Sequence, residues 1–159
     1  MSSDEDKNYL KRAIELAKVS AEKGGFPAGA LVVKDGKVIA EGISIGNIIN
    51  DPTSHAETAS IREACKIIQT TNLVGATLYG SLQCCVMCLS VANWAGISRI
   101  VSACRKTPDM VTKGYYEGIA SVQELNQLNT RKIDLEYILD FEQESLKIIK
   151  DWEDKQNTP

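Results

Sequence analysis

The chain has 159 residues, is 43% hydrophobic and 25% charged, and carries a formal net charge of −3. That length is the size of one ordinary globular domain, and the composition supports a real core, which argues against a disordered or fibrous chain. The acidic balance argues against a broad electrostatic footprint for nucleic acid, and no apolar run approaches the roughly 20 residues needed to span a bilayer.

The opening stretch MSSDEDK lacks the basic and apolar regions of a signal peptide, so a cytoplasmic protein is expected. Its cysteines, at 65, 84, 85, 88 and 104, are then expected as metal ligands, catalytic thiols or buried small side chains rather than as disulfides. Next, DEDKNYLKRAIELAKVSAEKGG reads as an amphipathic helix, with Leu10, Ala13, Ile14, Ala17 and Ala21 at helical spacing and Gly24 and Gly25 as its stop. AGALVVKDG and KVIAEGISI are two β-rich runs joined at Asp35-Gly36, a hairpin signal because both residues tolerate positive φ. In NDPTSHAETASIREACKIIQ, Pro52 and Ser54 lead into a helix that buries Ala56, Ile61, Ala64, Cys65 and Ile68. ATLYGSL is a third strand, CVMCLSVANWAG a short apolar helix ended by Gly96, and SRIVSAC a fourth strand. SVQELNQLN is a further helix and KIDLEYI a fifth strand. The last helix covers about 140–155, with Phe141, Leu146, Ile149 and Trp152 turned to the core.

Strands alternating with helices indicate a layered α/β domain. The hairpin makes its five-stranded sheet mixed, and the helix between the third and fourth strands makes that pair parallel by a right-handed crossover.

Two stretches carry chemistry: HAET at 55–58 and CCVMC at 84–88. A C-x-x-C pair at a helix start, Cys85 and Cys88, can place both thiolates on one metal, and the positive end of the helix favours the thiolate. Two thiolates do not complete a zinc site; a third ligand gives the open arrangement of catalytic zinc, with water in the fourth position. His55 is the only histidine in the chain, also at an expected helix start. Glu57, two residues on, is placed to move a proton between a metal-activated water and a substrate nitrogen. Three other readings compete. Ser54-His55-Ala56-Glu57 is also S-x-x-E, a capping box. A cytosolic C-x-x-C is also a thioredoxin-like redox pair, which leaves His55 and Glu57 unused. Cys84 and Cys88 form C-x-x-x-C, which points the thiols differently on a helix.

H-A-E followed at this distance by C-x-x-C resembles the zinc-dependent nucleobase and nucleoside deaminases, whose signature is H-x-E…P-C-x-x-C. GGFPAGALVV, NDPTSHAE, ATLYGSLQCCVMC and NWAGISRIV follow in the order of that family, so the resemblance covers about residues 8–105, within one deaminase domain over 1–159. It implies a three-layer α/β/α fold, one Zn2+ per chain held by His55, Cys85 and Cys88, and Glu57 as general acid/base. The Cys85 N–H would stabilise developing charge and the Ala56 backbone would contact the base. The implied reaction is attack of activated water on an amidine-like carbon with loss of ammonia; the partners are a small base or nucleoside, water as co-substrate, and a second copy in a homodimer. Guanine is the favoured substrate, on NDPTSHAE and NWAG. GGFPAGA resembles the cytosine and tRNA adenosine deaminase branches; cytosine is the runner-up, since the acidic balance and the absence of a basic tail argue against tRNA. Two departures stand out: Cys84 replaces the proline of the family, and Ser44 replaces an asparagine that holds substrate. They leave open a zinc-containing structural or regulatory paralogue. Cys65 and Cys104 read as buried small side chains. Trp94 is a substrate candidate, though such a residue is more often core. Tyr116, with Tyr115, either lines the mouth of the site or is an ordinary loop aromatic.

Overall fold

A computed structural model describes residues 3–158. Helix α1 (Asp4–Glu22) begins at a capping box in which the Ser3 hydroxyl and the Asp6 carboxylate satisfy each other's backbone N–H. Strands β1 (Phe26–Lys34) and β2 (Lys37–Ser44) form the expected hairpin, with Asp35 and Gly36 at φ 52° and 71°. A short helix α2 (Gly46–Ile49) leads to α3 (Ala56–Ile68), β3 (Thr77–Gly80), α4 (Val86–Trp94) and β4 (Arg99–Ser102). Helices α5 (Pro108–Thr112) and α6 (Val122–Leu128) precede β5 (Asp134–Tyr137) and the closing helix α7 (Glu142–Gln156).

The sheet order is β2-β1-β3-β4-β5. The pairs β2–β1 and β1–β3 are antiparallel, whereas β3–β4 and β4–β5 are parallel. Side-chain alternation divides the core between two faces. Leu31, Val33, Tyr79 and Val101 pack with Leu10, Ile14 and Ala17 of α1 and Ile148 of α7. Ala30, Val32, Leu78 and Ile100 pack with Ile61 of α3, Leu89 of α4 and Val122 of α6. Because both faces are covered, β1 reads as an almost unbroken apolar run.

All five expected strands form, and the architecture is the mixed α/β/α sandwich. Helices α2 and α5 were not expected. The second had a signal: Thr107 caps it by accepting from the Met110 N–H, with Pro108 in the first turn. At Gly42 of β2 the first turn of α3 comes so close that an added methyl would overlap the Ala56 carbonyl and lie 2.6 Å from the Ser60 nitrogen. This small-residue contact sets the height of α3 over the sheet.

Candidate metal centre and active site

The site lies where two helices begin. His55 is the N-cap of α3 and Cys85 the N-cap of α4. The capping box read at Ser54 and Glu57 does not form. The helix starts one residue later, and Thr58 takes the reciprocal position, its hydroxyl accepting from the His55 N–H at 2.9 Å. That leaves the Glu57 carboxyl without a capping duty. It is buried, and Cys88 Sγ lies 3.5 Å from its Oε2.

His55 Nδ1 lies 3.4 Å from Cys85 Sγ and 3.5 Å from Cys88 Sγ, and the three donor atoms all fall within 4.8 Å of one another. Zinc bonds of about 2.3 Å to sulfur and about 2.0 Å to nitrogen, at a tetrahedral angle, place those atoms about 3.5 Å apart. The three residues therefore fit one zinc ion and leave its fourth position open. Cys84 is not part of this cluster. It is buried in the core, and burial pushes its thiol well above the ordinary range.

The donor groups shift one another in opposite directions. Cys85 is held below the usual thiol range, chiefly by the hydrogen bond with Cys88 and also by His55. Cys88 moves the other way, first through that same bond and then through burial. The Cys85 interaction raises His55. Burial, and next the charge of Cys85, push Glu57 up to about 7.

His55, Glu57 and Cys85 open onto a cleft of about 250 Å3 that is also lined by Ser44, Tyr115 and Tyr116. Ser44 lies at the end of β2 opposite Phe26, with its N–H donating to Ser20 Oγ. Tyr116 does line the mouth, and its hydroxyl donates to the Gln83 carbonyl at 2.6 Å. Phe26, Tyr115 and Trp152 of α7 form an aromatic cluster at this edge, with ring centroids 5.0 to 5.9 Å apart. Ala56 and Trp94 are not among the residues that line this cleft. Ala56 is fully buried, because it opens α3 on the side pressed against β2. Trp94 ends α4, roughly 13 Å along the axis from the helix start, and is 88% exposed, so it is not a core residue. Cys104 is buried as expected, while Cys65 is only partly so.

One carboxylate was missed. Glu117 accepts from the Met87 N–H at 3.1 Å and the Val86 N–H at 3.4 Å, capping α4 beside Cys85. Its sequence, in TKGYYEGIA, has no periodicity, and the contact spans 30 residues.

A family model for the cytidine and deoxycytidylate deaminase zinc-binding region matches residues 3–104. The chain belongs to this deaminase family. Over 100 residues it is 43% identical to guanine deaminase from Bacillus subtilis, a match covering 62% of this chain and 64% of that protein. It is 38% identical over 93 residues to a tRNA-specific adenosine deaminase from Aquifex aeolicus, covering 58% and 62% of the two chains. These matches span less than two thirds of the length of either relative. A solved structure of the Bacillus subtilis guanine deaminase superposes with a TM-score of 0.66 at 33% identity, over 96% of both chains. That of guanine deaminase from Nitrosomonas europaea gives 0.81 at 22% identity, over 96% of this chain and 85% of the other, a likeness of fold alone. Membership in the deaminase family accounts for the HAE and C-x-x-C spacing and for the order of elements around it. It does not choose between guanine and tRNA adenosine relatives. No helix among the described residues is long and apolar enough to cross a membrane.

Proposed function

We propose that the protein is a zinc-dependent hydrolytic deaminase of a small nucleobase, guanine first, with His55, Cys85 and Cys88 as metal ligands. The carrying observation is the buried Glu57 carboxyl, 3.5 Å from Cys88 Sγ, beside a three-donor cluster that opens on the cleft. When bound, zinc supplies a water activated for attack near neutral pH. Glu57, raised towards neutrality, can hold a proton and release it at the same pH. It accepts a proton from the attacking water and delivers one to the departing amine nitrogen, so base and water give the oxo base and ammonia. The Cys85 N–H, at the start of α4, would donate to charge developing there. The mouth aromatics Phe26 and Tyr115 offer faces on which a flat ring can stack. The Ser44 hydroxyl can donate and accept at the rim, with a shorter reach than an amide.

Guanine is favoured by the 43% identity to a guanine deaminase. The second reading, tRNA adenosine, is supported by a 38% identity of similar extent, against which stands the net charge of −3. An ammonia-release panel separates them: guanine, cytosine, adenine, their nucleosides and deoxynucleotides, and tRNA, with metal content measured on the same sample. Guanine is expected to give the highest kcat/KM at one zinc per chain. Release from tRNA alone would select the second reading. Full zinc with no release from any substrate would make the chain a structural or regulatory paralogue. Absence of stoichiometric zinc, with a reversible Cys85–Cys88 disulfide, would select the redox reading.

A further inference from the structure

We infer that Lys106 is a positioning residue that holds the loop at the mouth of the site in place; the inference rests on the deaminase reading above. Residues 113–121 join α5 to α6 and bring Tyr115, Tyr116 and Glu117 to the cleft and to the start of α4. Among the described residues, no main-chain hydrogen bond is made by residues 116–120. Side chains hold this segment instead. The Lys106 ammonium donates to the Ala120 carbonyl at 2.8 Å and to the Gly118 carbonyl at 3.2 Å. It also lies 5.4 Å from the centroid of the Tyr116 ring.

Lys106 is itself anchored next to the metal centre. Its N–H donates to the buried Gln83 Oε1 at 3.0 Å, and the Gln83 N–H donates to the Cys104 carbonyl at 2.7 Å. Gln83 lies two residues before Cys85, and its carbonyl receives the Tyr116 hydroxyl. The chain of contacts thus runs from the zinc-ligand segment through Gln83 to Lys106 and out to the carbonyls of the mouth loop. The loop has two other fasteners: Tyr115 Oη donates to Glu153 Oε2 at 3.0 Å, and Glu117 caps α4. Among the described residues, only Lys106 makes hydrogen bonds to residues 118–120.

A charged donor to a carbonyl is a stronger bond than a neutral one, and removing it frees two acceptors and the loop together. Lys106 reaches neither Glu57 nor the three metal donors. Its loss therefore acts on how well the mouth is prepared for the base, which is a binding cost, and leaves the proton transfer intact. Lys106→Met keeps the aliphatic stem and removes the ammonium. It is expected to raise KM for the base roughly tenfold, the size expected from losing about 1.4 kcal/mol of charge-assisted bonding, while kcat stays within about threefold. Zinc is expected to remain at one per chain. Lys106→Arg, which can reach both carbonyls, is expected to recover most of the lost KM. Limited proteolysis of the same zinc-loaded proteins supplies an arm independent of turnover: a glutamate-specific protease should cut after Glu117 faster in Lys106→Met than in the unaltered protein.

Unchanged cleavage after Glu117 would overturn the assignment whatever the activity. So would an unchanged KM, a parallel loss of zinc and kcat, or an Arg variant no better than Met. If the unaltered protein turns over no base while cleavage after Glu117 responds as expected, the function reading fails and the anchoring of the loop stands.

Discussion

At the scale of single residues, Glu57 is separated from its neighbours by one turn of chemistry. His55 and Glu57 are two residues apart, yet the first caps a helix and the second is released from capping because Thr58 satisfies the His55 N–H. Glu57→Ala is expected to lower kcat by roughly 10²–10⁴-fold, the usual worth of a general acid/base, with zinc retained. Metal analysis alongside steady-state rates checks both halves. Thr58→Val removes the acceptor of the His55 N–H and is expected to cost about 1 kcal/mol of stability, with weaker zinc retention against a chelator. Denaturant unfolding and a chelator titration measure the two effects. Cys84 stands apart from both. It is buried away from the three donor atoms, so Cys84→Ala is expected to leave zinc stoichiometry unchanged, whereas Cys88→Ala is expected to abolish it. The presence of a cysteine where the family has proline has no structural account beyond this burial.

At the scale of elements, the site depends on two helix starts held at the right height. Gly42 is where β2 admits the first turn of α3. Gly42→Ala pushes on the Ala56 carbonyl and the Ser60 N–H, neither of which can swing away, so α3 must lift. A loss of about 1–3 kcal/mol is expected, the usual cost of overpacking, accompanied by loss of zinc because His55 rides on the displaced turn. Thermal unfolding with metal analysis tests this, and a variant of full stability with lowered zinc would separate the two effects. The sequence also shows which helix features were legible. The spacing of Leu10, Ala13, Ile14 and Ala17 marked α1, and Asp35-Gly36 marked the hairpin, because periodicity and turn chemistry are local. Helix α2 has no side-chain cap and no periodicity to read. Helix α5 offered Thr107-Pro108, a local signal that five residues of helix made easy to pass over.

At the scale of the whole molecule, α1 is tied to the parallel half of the sheet through a polar network. Arg99 of β4 makes paired hydrogen bonds to Asp6 of α1, at 2.8 and 3.0 Å, and to Glu136 of β5, at 3.1 and 2.6 Å. The Tyr79 hydroxyl adds a bond to Asp6 at 2.6 Å. Arg99 is the main cause that holds the Asp6 carboxyl far below the usual carboxylate range. A depressed folded-state value means the stabilisation is present above the unfolded value near pH 4 and is lost as pH falls below it. Asp6→Asn is therefore expected to lower stability by about 3 kcal/mol at neutral pH and to flatten the acid limb of the stability curve. Urea unfolding from pH 7 to pH 3 tests the sign; an acid limb of unchanged slope would contradict it.

The same scale explains what could be read in advance of the site. His55, Glu57, Cys85 and Cys88 were legible because metal chemistry needs those residue types at those spacings. The contacts of Glu117 and Lys106 were not, since each joins segments that only the folded topology brings together. The core reading of Trp94 failed for a related reason: helix phase and length, rather than residue type, decide which side chains are buried.

The most direct test of the central claim pairs zinc analysis with ammonia release from guanine, for the unaltered protein and Glu57→Ala prepared in parallel. One zinc per chain in both, with ammonia released only by the unaltered protein, is the expected result. Zinc lost from the Glu57 variant, or ammonia released equally by both, would contradict the assignment of ligands and proton carrier.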